Sequence, residues 1–272
     1  MKQYTNIFSV DLEDWYHSSP EGRSIKTNDF RILDPTEKIL KLLKQSNNFG
    51  TFFVVGEIAQ KHPQLIKEIF KQGHEIACHT LHHNFIYNMS QKQFENDVKE
   101  SKDILENLTH QKIIGYRAPA WSVDQNRTPW FWQTLKNYGF KYSSSIFPFK
   151  TFLYGDNHAD QFQSTIGGIL EIPPSTYQIF RKRIPFSGGF YLRCFPSIFI
   201  KYFTHKINQQ KQPVIFYIHP REIDLLQPRI KLPPKEYFIH YYNINRTLNK
   251  LKTILKDFPT TSFKQYYHFP KI

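Results

Sequence analysis

Two histidines four positions apart, His79 and His83, and a run of carboxylates, Asp11, Glu13 and Asp14, are the residues of this chain best suited to chemistry. Zinc accepts two imidazole nitrogens and one carboxylate and then keeps a coordination position open for water, the catalytic rather than the closed structural arrangement. On a helical turn, residues at i and i+4 share a face, so His79 and His83 can reach a single ion. A carboxylate that stays off the metal can serve as a base. The pattern points to metal-dependent hydrolysis. With 12 His in the chain such a spacing also arises by chance, and Asp-rich stretches make turns and caps. The weight lies in the joint occurrence, each group following a short apolar run that reads as a strand.

Those groups need a frame. Strands read over residues 5–11, 51–55, 75–78, 113–116, 140–143, 169–172 and 213–218, from apolar runs rich in β-branched and aromatic residues. Helices read between them: one capped by Asp34-Pro-Thr-Glu37, one from His62-Pro63 to Gly73, one over 90–108, one carrying Trp130, Phe131 and Leu135, one over 198–209 and a last over 245–256. Repeated βα units predict a parallel sheet closed as a barrel, and with no linker, repeat or low-complexity tract a single domain over 1–272 is expected. Catalytic residues of such barrels gather at the C-terminal strand ends. Asp11, His79, Arg117 and His219 all fall at or just beyond one.

Composition narrows the function classes. No apolar run of membrane-spanning length occurs, and the start, Met-Lys-Gln-Tyr-Thr-Asn, lacks the apolar core of a secretory signal. With only Cys78 and Cys194, no disulfide framework is expected, and a reducing cytoplasm is the simplest location. The formal net charge is +13. Its lysines are scattered along predicted helices, as at Lys38, Lys41 and Lys44 or Lys201, Lys206 and Lys211, and the densest run is only Arg181-Lys182-Arg183. That distribution argues against a dedicated nucleic-acid surface and fits an acidic glycan, a phosphorylated carrier or a membrane surface.

In order, the segments resemble the polysaccharide deacetylases of the NodB-homology, carbohydrate esterase family 4 group, in the branch associated with exopolysaccharide and exosortase gene clusters. Ser9-Val-Asp11-Leu-Glu13-Asp14-Trp15 is similar to that branch's first motif, His79-Thr-Leu-His-His83 to its His motif, and Gly115-Tyr-Arg117-Ala-Pro119-Ala-Trp121-Ser122 to its Arg motif. Ser187-Gly-Gly189-Phe-Tyr191-Leu-Arg193, Phe216-Tyr-Ile-His219-Pro-Arg-Glu222-Ile-Asp224 with Gln227-Pro-Arg229, and Tyr241-Tyr-Asn-Ile-Asn-Arg246-Thr247 extend the likeness, with a family-specific extension from about 185. The resemblance implies an α/β fold, a distorted (β/α) barrel of the NodB type, and zinc-dependent (or other divalent-metal) removal of N-acetyl groups from amino sugars. The partner is then an N-acetylated glycan and no nucleic acid, with peripheral membrane association and homo-oligomers left open.

Residue by residue, the resemblance makes Asp11 the base that activates water, His79 and His83 metal ligands, His219 the acid that protonates the leaving amine, and Arg117 the group that orients the base. Asp14 is favoured over Glu13 as third ligand. Trp15, Pro119, Trp121, Gly189 and Tyr191 are expected along the substrate. One departure stands out: where the family often has Tyr-Asp-Ser-Ser, this chain has Tyr142-Ser143-Ser144-Ser145. Two other readings remain, a cyclic imide or ureide amide hydrolase of the same fold and a catalytically silent glycan-binding module.

Overall fold

Along Asn6–Leu12 (β1) every residue is buried, so the strand needs apolar cover on both faces. Phe8, Val10 and Leu12 join the main core beside Ile39, Leu43, Ile58, Ile66, Phe94 and Val98 of the flanking helices. Ile7 points the other way, into a second cluster with Phe53, Ala77, Ile114, Tyr142, Ile215 and Phe263. Side chains alternate across a strand, so Ser9 and Asp11 follow Ile7 on that second face. The computed structural model that shows this describes all residues except 1–3, 20, 21, 23, 26, 28, 152, 153, 271 and 272.

β1 is the centre of a parallel sheet. On one side it pairs with Ile215–Ile218 (β10), and on the other the order runs through Thr51–Val54 (β2), Glu75–Cys78 (β3), Gly115–Tyr116 (β4), Tyr142–Ser143 (β5) and Ile169–Glu171 (β7). Ser164–Ile166 (β6) closes the order as an antiparallel partner of β7. A short strand, Thr260–Thr261, pairs with the start of β1. Among the described residues no ladder joins β6 to β10, so the expected barrel is a curled half-barrel. The turn Gly167-Gly168, both at positive φ, sends the chain back antiparallel and makes β6 the edge of the sheet beyond β7.

Helices cover one face, and the C-terminal turn Phe263–Tyr266 covers the other, with Phe263 stacked on Tyr142. The helix read from His62-Pro63 to Gly73 is Pro63–Lys71, and a further short helix, Gly56–Lys61, precedes it; the ring of Pro63 keeps His62 out of helical geometry between the two. The Gln91–Thr109 helix starts with a capping box between Ser90 and Gln93. The short helices Gly189–Cys194 and Pro234–Tyr241 and an isolated hairpin, Thr176–Ile179 (β8) with Lys182–Pro185 (β9), were not expected from the sequence. Among the described residues no helix is long and apolar enough to cross a membrane. The strand ends carrying Asp11, His79, Arg117, Ser144 and His219 line up on one rim of the sheet.

Candidate metal centre

Glu13, His79 and His83 bring one ligand atom each to within 4.8 Å of one another, and all three are buried. His79 follows β3, and its Nδ1 is tied to the carbonyl of Arg117 at 2.7 Å, which leaves Nε2 for the cluster. His83 Nε2 lies 2.5 Å from Glu13 Oε2. The segment between the histidines is a loop and not a helical turn: Thr80 and His83 both sit at positive φ. That shape is held from outside, since both carboxylate oxygens of Asp97 accept from the Leu81 amide and the Gly56 amide donates to the Thr80 carbonyl. The i, i+4 spacing brings the rings to 5.1 Å, by a route other than the helical one.

Asp14, favoured from the sequence as third ligand, is placed elsewhere. It caps the 3-10 turn Trp15–Ser18, accepting from the Trp15 amide, and its other oxygen accepts from the amides of Arg31 and Ile32. Both oxygens are spent on backbone. Glu13 has the opposite surroundings: its Oε2 is buried and faces the His83 imidazole across the cluster rather than a backbone amide. The signal for it was the strand period, because Asp11 and Glu13 point to one face and Asp14 to the other. Burial alone would raise the Glu13 pKa, but the neighbouring imidazoles of His83 and His219 outweigh it and hold the carboxyl well below its ordinary value. Burial lowers His79 to about 4, keeping it as the neutral imidazole a metal needs. Two imidazoles and an ionised carboxylate, dry and converging, form a donor set that fits a divalent cation.

Beside the cluster lies a second group. Arg117, fully buried, donates from Nη1 to Asp11 Oδ1 at 2.5 Å and to Ser9 Oγ at 3.0 Å, and from Nη2 to Ser144 Oγ at 2.9 Å. Its guanidinium lies over the Phe53 ring. Asp11 Oδ2 faces His219 Nε2 at 3.7 Å, and the same nitrogen is 3.5 Å from Glu13 Oε1. His219 Nδ1 meets Glu222 Oε1 at 3.2 Å, and Arg193 stands behind Glu222. Burial pulls the His219 pKa down, but Glu13 and Glu222 reverse this and leave it raised.

Glu222 answers the question left by Ser143. The Ser143 hydroxyl donates to Ser145 Oγ, and the acidic partner of His219 comes from three residues downstream of the histidine itself. Glu171 fills the space beneath Ser143-Ser145, accepting from the amides of Ser145 and Ile146, with burial pushing its pKa up to about 7. Sequence reading gave no role to Ser9, Ser144, Glu171, Arg193 or Glu222. For Glu222 the His-x-x-Glu spacing was a usable clue.

Asp11, Glu13, His79, His83, His219 and Glu222 share one cavity of about 610 Å³. Of the residues expected along the substrate, Trp121, Gly189 and Tyr191 line it, whereas Trp15 and Pro119 do not. Trp15 is buried in a satellite cluster with Tyr16 and Ile230, its indole donating to the Asp29 carbonyl. Pro119 is buried as the first residue of a 3-10 turn whose job is to swing Ala120 and Trp121, both at positive φ, into the wall. Trp121 Nε1 is buried there with no hydrogen-bond partner. Gly188 must lack a side chain, since a Cβ would meet the Tyr217 ring at 2.2 Å. Phe190, Tyr154, Tyr217, Lys150, Arg221 and Lys235 complete the wall facing the cluster.

Residues 28–143 match the polysaccharide deacetylase family, and residues 144–268 match a domain of unknown function. A Bacillus cereus peptidoglycan-N-acetylglucosamine deacetylase is 30% identical over 118 residues, covering 36% of this chain and 55% of the relative. A Sinorhizobium fredii chitooligosaccharide deacetylase is 33% identical over 92 residues, covering 33% of this chain and 43% of the relative. The match thus spans about half the length of these relatives. A candidate polysaccharide deacetylase from Mycobacterium smegmatis shares the fold at a TM-score of 0.60 and 18% identity, over 98% of this chain and 91% of that one. Peptidoglycan deacetylase PdaC from Bacillus subtilis does so at 0.52 and 13%, over 98% and 91%.

Proposed function

We propose that this chain, whose residues 28–143 match the polysaccharide deacetylase family, is a metal-dependent hydrolase that removes N-acetyl groups from the amino sugars of a glycan. The observation that carries this is the convergence, in one cavity, of the Glu13–His79–His83 cluster with Asp11 and His219. Glu13 and the Nε2 atoms of His79 and His83 would hold a divalent cation, zinc by its preference for nitrogen and carboxylate donors, which when bound polarises the acetyl carbonyl and acidifies water.

The remaining work belongs to the chain. Hydrolysis requires water oxygen to attack the acetyl carbon, the C–N bond to break and the leaving amine to gain a proton, giving acetate and a free amino sugar. Asp11 Oδ2 takes the proton from water, while Arg117 holds Oδ1 and aims the carboxylate. His219 donates from Nε2 to the amine, with Nδ1 fixed by Glu222. Trp121 Nε1 offers a donor to the sugar, and the Trp121, Tyr191 and Phe190 rings offer faces to it. Beyond the metal and His219 carboxylates, Glu236 alone opposes the wall cations Lys150, Arg221 and Lys235, which suits a glycan carrying negative charge.

The test is acetate release from chitooligosaccharides and from peptidoglycan fragments by metal-loaded protein. The expected result is release that chelation abolishes and that Asp11→Asn lowers by about 10²–10⁴-fold. Absence of release from every N-acetylated glycan, with metal bound, would contradict the reading.

A further inference from the structure

Between Glu171 and Glu222 the chain contains no acidic residue, and residues 172–221 carry eight Lys and Arg. Arg193 and Arg221 of that stretch belong to the cavity and Lys201 pairs with Asp257, which leaves Arg181, Lys182, Lys206 and Lys211 on the outer surface of its hairpin and helix. The same stretch holds several exposed large apolar side chains, Phe180 the most exposed of them. The β8–β9 hairpin turns through Phe180 and Arg181, with Ile179 paired to Lys182. Phe180 is 95% exposed and adopts φ +53. A bulky residue in the left-handed region is strained, and tight hairpin turns favour Asn or Gly there. The tip therefore carries an aromatic ring at a cost to the fold and without covering it.

The neighbouring helix Ser197–Gln209 repeats the pattern. Ile200, Phe203, Thr204 and Ile207 face the core, while Ile198, at 72% exposure, Phe199 and Tyr202 face outward. Tyr177 from the hairpin stem stacks on Phe203 at 4.6 Å and approaches Tyr202 at 6.2 Å, which fixes the hairpin beside the helix. Arg181 and Lys182 stand exposed at the tip. Arg183 is spent on the carbonyls of Pro148 and Ala159.

We propose that the Phe180 hairpin tip and the outward face of Ile198, Phe199 and Tyr202 form a docking surface for an anionic phospholipid bilayer. Aromatic and aliphatic side chains entering the acyl boundary, with Lys and Arg at the headgroup level, are the chemistry by which soluble folds sit on membranes. Charge complementarity selects this occupant: apolar burial alone would serve any partner, but Arg181 and Lys182 at the tip and Lys206, 5.6 Å from the Tyr202 ring, edge the apolar face with positive charge and favour a surface of uniform negative charge. Ile179 and Ile198 give nothing to the stacking on which nucleic-acid bases depend. The surface is independent of the deacetylase chemistry.

Flotation of the full chain with phosphatidylglycerol–phosphatidylcholine vesicles, against phosphatidylcholine vesicles alone, tests the proposal. The expected result is binding to the anionic vesicles only, weakened about tenfold or more by Phe180→Ser and similarly by Arg181→Glu with Lys182→Glu, and reduced by high salt. All three positions are exposed, and an unchanged melting temperature shows that the variants fold. Equal flotation with both vesicle types, none with either, or wild-type affinity in the Phe180 variant would overturn it. So would a concentration-dependent dimer that Phe180→Ser makes monomeric, or tight binding of a single-stranded oligonucleotide lost in the same variant.

Discussion

The two ends of the cavity floor are built in opposite ways. At the metal end, Glu13, His79 and His83 converge with their front atoms turned toward one another, and the two histidines are braced from behind: His79 by the Arg117 carbonyl, and the loop carrying His83 by Asp97 through the Leu81 amide. At the proton end, Asp11 and His219 each have a charged partner, Arg117 and Glu222. An ion site needs donors that are fixed and dry but unspent, because any hydrogen bond made at the front competes with the cation. A proton-transfer pair needs the reverse, since charged neighbours decide which atom holds the proton and at what pH.

That contrast breaks most sharply in paired substitutions. His79→Ala should abolish both metal binding and acetate release, whereas His219→Ala should keep the metal and lose about 10²–10⁴-fold in rate. Equal metal loss in the two would erase the distinction. Glu222→Gln should retain metal and cost roughly tenfold, with a further signature in pH. His219 acts as an acid and its pKa is raised against the pull of burial by Glu13 and Glu222, so activity is present below that pKa and fades as pH rises through it. Removing the Glu222 charge should move the alkaline limb to lower pH in a kcat profile.

Smaller effects fall on stability. Asp14→Ala should cost about 1–2 kcal/mol through the lost cap, read as a lower melting temperature with metal stoichiometry unchanged. Glu171→Gln should do the opposite at alkaline pH. Its pKa in the fold is about 7 against an ordinary 4.5, so the folded state keeps a proton that the unfolded chain gives up. The resulting stability is full at low pH and lost as pH climbs from the ordinary value through the folded one, at most about 1.4 kcal/mol per unit of difference. The glutamine variant should melt higher than wild type at pH 8 and gain little at pH 5.

The same division explains what the sequence made legible. Periodicity and strand ends located Asp11, His79, Arg117 and His219 on one rim, because a parallel sheet brings its C-terminal edges together whatever its helices do. The competition between Glu13 and Asp14 was decided by the amides of Arg31 and Ile32, residues that no local pattern ties to position 14. Trp15 and Pro119 looked like sugar contacts by type but are buried in cluster and turn. Glu222 escaped notice because its partner histidine was read by motif alone, and the departure at Ser143 drew attention to a strand that does not touch His219. The antiparallel edge of the sheet was hidden in a Gly-Gly turn that reads equally well as a loop.

The central claim, a metal centre of Glu13, His79 and His83 braced from behind, is tested most directly by bound zinc per chain in Glu13→Ala and Asp14→Asn proteins that remain folded. The account predicts that the Asp14 variant keeps an equivalent of zinc and the Glu13 variant loses it. Zinc retained without Glu13 and lost without Asp14 would contradict it.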